Sequence, residues 1–144
     1  MRRVLLDTNV VLDALLERAP WVAEAKAIWE AHLGYRIAAH ITATSLTDIF
    51  YVSRRLVGRA RAWLAVGACL DQLYIIPVDL PLLQSAARLG DGDFEDHLQI
   101  ASAAAARLDA IVTRDPAGFR NSQIPVLAPA QFLDQITPPA PGIA

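Results

Sequence analysis

Short apolar runs alternate with longer segments of mixed polarity along the whole chain. Four of the runs have the length and the aliphatic composition of buried strands, and a fifth, near the end of the chain, is shorter. The runs cover residues 4–6, 36–39, 73–78, 110–113 and 125–127. We therefore predict a sheet of about four to five strands.

The segments between these runs repeat their apolar positions with the period of an amphipathic helix. The predicted helices cover residues 10–17, 20–33, a segment that begins at Thr42 or Thr44 and stops before Gly58, then 59–70, 80–89, 93–108 and 129–136. Strands that alternate with helices are typical of a mostly parallel sheet with helices on both faces. The pattern thus predicts a three-layer α/β/α domain of the α/β class.

Length and composition are compatible with one such domain. A chain of 144 residues can bury a core without disulfides, and the single cysteine, Cys69, excludes an internal disulfide framework and a cysteine-rich zinc site. We expect the domain to span residues 1–136 and the proline-rich tail, 137–144, to fray. No stretch has the length and apolarity of a membrane span or a signal peptide, so we expect a cytoplasmic protein.

The net charge of −2 gives no global signature of nucleic-acid binding. The basic residues are nevertheless unusual, since twelve are arginine and one, Lys26, is lysine. Genome composition explains this bias, and so does phosphate binding by guanidinium groups. One cluster fits either an RNA-backbone track or a solvated helix end, and it consists of Arg54, Arg55, Arg59 and Arg61.

Aspartates follow two of the predicted strands and begin two of the predicted helices. Asp7 comes directly after the first strand, and Asp115 follows the fourth. Asp48 lies near the start of the third helix, and Asp96 near the start of the sixth. Functional groups in open parallel sheets collect beyond the carboxyl ends of the strands, so we expect these four acids to converge on one cleft.

Four carboxylates in one cleft require compensation, because like charges raise one another's pKa and an isolated buried carboxylate is costly. A hard divalent cation supplies it. Oxygen ligands without a histidine or cysteine cluster point to Mg²⁺ or Mn²⁺, ions that serve phosphoryl chemistry.

Each acid also has a purely structural interpretation. Asp7 could cap the first helix, and Asp115, which precedes a proline, could be an ordinary turn residue. Asp48 completes a Ser45-x-x-Asp48 capping-box pattern. Asp93, Glu95 and Asp96 could simply complement the dipole of the sixth helix, and Asp93 is well placed as its N-cap.

Three segments resemble the PIN family, in particular the VapC-type toxin nucleases and related stand-alone PIN proteins. They are residues 4–13 (VLLDTNVVLD), 93–99 (DFEDHLQ) and 111–115 (IVTRD). The resemblance extends over nearly the whole chain, from Arg3 to about Leu133. It implies a ribonuclease that depends on Mg²⁺ or Mn²⁺ and produces 5′-phosphate ends.

The resemblance also implies roles for individual residues. Carried over, the four acids that bind metal and act in catalysis are Asp7, Asp48, Asp96 and Asp115. Asn9 and Thr113 would orient these carboxylates through hydrogen bonds, with Asp93 beside them. The family usually has glutamate at the second acid, whereas this chain has Asp48, whose carboxylate is set back by about one C–C bond.

Partners follow from the same resemblance and from the apolar surface that the helices predict. An RNA substrate, a homodimer and an antitoxin helix in a groove beside the site are expected. The aspartate at position 48 keeps open a PIN fold that binds RNA or protein without cleaving it.

Other enzyme classes fit less well. Asn9 stands where an aspartyl phosphatase has its second aspartate, and Lys26 is misplaced for the late-strand lysine of a receiver domain.

Overall fold

The computed structural model describes residues 1–137 and Gly142. The described part of the chain contains one sheet of five parallel strands in the order β3-β2-β1-β4-β5. The strands are β1 (Arg2–Leu6), β2 (Ile37–Thr42), β3 (Tyr74–Ile76), β4 (Ala110–Val112) and β5 (Val126–Leu127). The predicted parallel sheet is confirmed.

Seven α-helices connect or flank these strands within the same residues. They are α1 (Thr8–Leu15), α2 (Val22–Leu33), α3 (Ala43–Val57), α4 (Arg59–Gln72), α5 (Leu80–Ala87), α6 (Phe94–Ala105) and α7 (Pro129–Ile136). A 3₁₀ turn, Pro116–Phe119, follows β4 and was not predicted. No helix of this region is both long and apolar enough to cross a membrane.

The central strand β1 is buried on both faces, which is why it reads as a continuous apolar run. Val4 and Leu6 belong to a large core with α1, α2 and α3, whereas Leu5 packs on the opposite face with Ile100 of α6 and Ile111 of β4. Helices therefore cover both faces of the sheet, and the predicted three-layer α/β/α architecture is confirmed.

Most boundaries differ from the prediction by one to three residues at each end, as expected for element ends. Strand β3 ends two residues earlier than predicted, because Pro77 directly follows it and cannot donate to a strand ladder. The predicted frayed tail, 137–144, lies outside the described residues apart from Thr137 and Gly142.

The structure shows which residues are the N-caps of α3 and α6. Thr42 is the N-cap of α3, because its hydroxyl accepts from the backbone N–H of Ser45 at 3.3 Å. Ser45 thus lies inside the helix, and the Ser45-x-x-Asp48 capping box does not form. Asp93 caps α6, with its Oδ1 accepting from the backbone N–H of Asp96 at 3.0 Å.

Candidate functional site

A pocket of about 310 Å³ opens at the carboxyl edge of the sheet, beyond β1 and β4. Five carboxylates line it, the four expected aspartates and one glutamate: Asp7, Asp48, Asp96, Asp115 and Glu95. The remaining lining residues are Thr8, Asn9, Leu12, Val52 and Phe119. Strand order explains the convergence, since β1 and β4 are neighbours and end at the same level, with Leu6 paired to Val112.

Asp7 lies at the bottom of this pocket and is 6% exposed. Its Oδ1 accepts from the Gln99 side-chain amide at 3.1 Å, and its Oδ2 accepts from the Thr113 hydroxyl at 2.8 Å. Both donors are neutral, so they orient the carboxylate without balancing its charge. Burial accordingly raises the pKa of Asp7 above its ordinary value, although these two hydrogen bonds oppose the change.

Gln99 was not singled out from the sequence, yet it holds Asp7 from the opposite side to Thr113. It lies on α6, is 1% exposed, and its Oε1 has no hydrogen-bond partner among the described residues. The amide is therefore held in place mainly by its bond to Asp7 and by packing.

Asp48 and Glu95 meet on the α3 side of the pocket. Burial and a hydrogen bond with the Asp48 carboxyl raise the pKa of Glu95 to about 7. The negative charge of Asp48 acts in the same direction, because like charges disfavour the ionised form of a neighbouring carboxyl. Glu95 also accepts from the Thr8 hydroxyl at 3.2 Å, which connects the pair to the start of α1.

Glu95 is the functional candidate that sequence reasoning missed. It was interpreted with its neighbours as an acid that complements the dipole of α6. The available signal was its position directly before Asp96 at a helix start beside the strand ends. Its longer side chain brings a carboxyl group to the part of the pocket where Asp48 is shorter than the expected glutamate.

Asp96 projects from the first turn of α6 towards the 3₁₀ turn. A Cβ at Gly118 would lie 2.4 Å from Asp96 Oδ2, so only glycine allows this turn to approach the carboxylate so closely. Burial and the negative charges of Asp93, Asp7 and Asp115 raise the pKa of Asp96 to about 6. The carboxylate of Asp96 thus lies in a strongly negative potential.

Asp115 is exposed at the mouth of the pocket, and its backbone N–H donates to the Thr113 hydroxyl at 3.0 Å. Thr113 therefore connects the backbone of one acid to the side chain of another. Asn9 differs from expectation, because its side chain accepts from Arg18 at 3.2 Å instead of orienting a carboxylate. The reason is the direction of α1, which turns Asn9 towards solvent at the pocket rim.

The four arginines proposed as RNA contacts lie elsewhere on α3 and α4. They are exposed, and the described lining of the acidic pocket does not include Arg54, Arg55, Arg59 or Arg61. Arg54 is six residues beyond Asp48, which places it about 9 Å further along α3. Arg61 lies near Glu17, which follows α1, and the pKa of that carboxyl is lowered mainly by Lys26 and to a smaller extent by Arg61.

The donor set suits a hard divalent cation, since it consists of carboxylate oxygens. Burial raises the pKa of three of these groups, Asp7, Glu95 and Asp96. Within residues 1–137, no three histidine, cysteine or acidic side chains are already arranged as a metal-coordinating group. A cation bound among these carboxylates would offset the repulsion between their negative charges.

One protein-family model matches most of the chain. The model of the PIN domain family matches residues 3–117. The protein belongs to the PIN-domain family. PIN-domain proteins are typically nucleases and generally use divalent metal ions. No curated protein sequence matches the chain significantly.

Solved structures agree with this PIN fold. VapC20 of Mycobacterium tuberculosis, described as a toxin that cleaves the sarcin–ricin loop, matches with a TM-score of 0.63 and 14% identity over 75% of this chain and 86% of that chain. A toxin–antitoxin complex from Klebsiella pneumoniae matches with a TM-score of 0.66 and 22% identity over 88% and 97%. DNA-bound VapBC from Salmonella typhimurium matches with a TM-score of 0.64 and 16% identity over 88% and 97%. At these identities the likeness establishes the fold.

Proposed function

We propose that this PIN-domain protein is a Mg²⁺- or Mn²⁺-dependent endoribonuclease and the toxin of a toxin–antitoxin pair. The observation that carries the proposal is the pocket of five carboxylates, in which Asp7 is buried with only neutral hydrogen-bond donors. The negative charge of such a site favours the binding of a cation. PIN-domain proteins are typically nucleases.

Asp7, Asp96 and Asp115 would hold the cation, with Asp48 or Glu95 completing its ligands. A bound Mg²⁺ or Mn²⁺ would polarise the scissile phosphate and stabilise the negative charge of the leaving oxygen. Gln99 and Thr113 keep both oxygens of Asp7 in a fixed orientation. If Asp48 completes the ligands, the Glu95 carboxylate in the same pocket would accept the proton of an attacking water.

Water as the nucleophile determines the product. Attack in line with the 3′ oxygen leaves a 3′-hydroxyl on one fragment and a 5′-phosphate on the other. The RNA 2′-hydroxyl takes no part, so no cyclic phosphate forms.

A fluorescently labelled RNA incubated with the purified protein tests this proposal. Cleavage is expected with Mg²⁺ or Mn²⁺, no cleavage with excess EDTA, and recovery when the ion is restored. The new ends should carry 5′-phosphate. Cyclic-phosphate ends would exclude the water mechanism, and RNA binding without cleavage under all conditions would favour a PIN module that only binds.

The proposed antitoxin has a suitable surface next to the acidic pocket. A groove of about 390 Å³ between α3 and α4 is lined by Leu46, Thr47, Phe50, Tyr51, Trp63 and Val66. Tyr51 and Trp63 are each 62% exposed, and the groove starts beside Asp48. An amphipathic helix of a partner encoded by a neighbouring gene would bury these side chains, and co-purification of the two proteins tests it.

Homodimer formation is proposed separately. Further apolar side chains on α4, Leu64 and Leu70, are more than half exposed. Burial of these groups against a second copy would remove an apolar patch from water. Light scattering is expected to give the mass of a dimer at micromolar concentration, and a monomer would contradict it.

A further inference from the structure

A second buried carboxylate lies on α1, close to the acidic pocket but surrounded by opposite charge. Asp13 is 1% exposed. Its Oδ1 accepts from Arg18 Nε at 2.8 Å, and its Oδ2 accepts from Arg114 Nε at 2.9 Å. Two guanidinium groups therefore neutralise Asp13, so this carboxylate does not attract a cation.

Arg114 is important because of the two residues beside it. Thr113 donates to Asp7, and Asp115 lines the same pocket. Successive side chains of an extended segment point to opposite sides, so Arg114 points away from the pocket, towards α1. The segment that carries both site residues is thus attached to β1 on one side by Thr113 and to α1 on the other by Arg114.

Two further contacts add to this attachment. The Arg114 guanidinium lies over the Trp21 ring, with its Cζ 3.7 Å from the ring centroid. Arg18 also donates to the backbone oxygen and to the side-chain Oδ1 of Asn9, at 3.3 and 3.2 Å, and Asn9 lies at the pocket rim. The cluster thereby connects α1, the segment after it and the chain beyond β4.

Stability alone gives little reason for this arrangement, because well-packed apolar residues usually stabilise a protein as much as a buried ion pair does. Arg114 meets Asp13 with two donors, since its Nη2 also lies 3.5 Å from Asp13 Oδ1. Such a planar fork differs from an apolar contact in fixing direction, because it accepts only a narrow range of geometries. Metal ligands need such support, because small displacements of the groups that hold them weaken binding.

We propose that Asp13, Arg18, Arg114 and Trp21 form a clamp that positions Asp115 and Thr113 relative to Asp7 for binding a divalent cation. Arg114 is the central positioning residue of this clamp. The inference rests on the proposed function for its metal, but the ordering of the segment from Thr113 to Asp115 is independent of it.

The test uses Arg114→Lys, which keeps the charge but removes the fork and most of the stacking. Mn²⁺ binding is measured by electron paramagnetic resonance, RNA cleavage by steady-state kinetics, and segment order by amide hydrogen exchange. We expect Mn²⁺ affinity and kcat to fall on the order of tenfold, with KM for RNA nearly unchanged. Exchange of the Asp115 amide should accelerate while the amides of β1 stay protected, and added Mn²⁺ should restore part of the cleavage.

Arg120→Lys is the matched control, because Arg120 is an exposed arginine directly after the 3₁₀ turn that follows Asp115. It should leave all three measurements unchanged. If Arg114→Lys fails to fold by circular dichroism, Trp21→Leu, which removes the stacking and retains the ion pairs, is measured in the same way and is expected to show smaller changes in the same direction.

The outcomes separate the two proposals. A folded variant with wild-type Mn²⁺ affinity, kcat and Asp115 exchange overturns the clamp. Wild-type protein that binds no Mn²⁺ and cleaves no RNA overturns the proposed function, and the exchange of the Asp115 amide then decides alone whether the clamp orders the segment.

Discussion

Asp7 and Asp13 lie on the same short stretch of chain and are both almost fully buried, yet their surroundings are opposite. Asp7 receives hydrogen bonds from an amide and a hydroxyl, whereas Asp13 receives them from two guanidinium groups. Burial of a carboxylate is therefore a weak sign of function by itself. The charge of its partners distinguishes an acid that needs a cation from one that is already neutralised.

The largest expected effect on stability comes from the neutralised acid. Asp13→Asn keeps the size of the side chain but leaves two partly buried arginines without their counter-charge. We expect the free energy of unfolding to fall on the order of 3 kcal/mol, measured by urea denaturation at pH 7. Asp71→Asn, at an exposed acid in the last turn of α4, should change it by less than about 0.5 kcal/mol. A similarly small loss for Asp13→Asn would mean that its ion pairs contribute little.

The acids of the pocket should behave differently from Asp13, because a cation that binds to them should stabilise the protein. At ten times its dissociation constant, Mg²⁺ or Mn²⁺ should stabilise the wild type by about 1.4 kcal/mol, which raises Tm by about 4 °C. Asp7→Asn should lose this response, and Asp71→Asn should keep it. Thermal melts at constant ionic strength measure the effect, and equal shifts in all three proteins would point to binding elsewhere.

The smallest expected effect is the pH dependence of the metal-free protein. The pKa of Asp96 is about 6 in the folded state, above the ordinary value of 3.8 that applies in the unfolded chain. Its contribution to stability is thus complete below about pH 4 and is lost as the pH rises through about 6. Asp96→Asn should flatten this decline, by less than about 1 kcal/mol because the group is half exposed. Parallel stability curves for the two proteins between pH 4 and 7 would contradict this explanation.

The sequence predicted the part of the site that depends on strand ends. Asp7 and Asp115 follow apolar runs, and parallel strands carry such residues to one edge of the sheet. Gln99 and Glu95 could not be assigned in this way, because their reach depends on how α6 packs against β1. The different roles of Asp7 and Asp13 were equally hidden, since one of the two arginines that neutralise Asp13, Arg114, lies 101 residues away in the chain.

Arg114 was also missed, because the sequence does not show that its side chain contacts α1. In the sequence it is one more arginine among twelve, between two residues that the resemblance marks as functional. Only the contact with α1 distinguishes it from the exposed arginines of α3 and α4.

Cleavage of RNA by Asp7→Asn tests the central claim most directly. The substitution preserves the size of the side chain and can keep both hydrogen bonds, because the Thr113 hydroxyl can accept from the introduced amide. It removes the charge that attracts the cation. With Mn²⁺ present and folding verified by circular dichroism, the rate should fall by orders of magnitude relative to the wild type and to Asp71→Asn, since several kcal/mol of transition-state stabilisation are lost. Equal rates in the three proteins would contradict the assignment of the acidic pocket as the catalytic site.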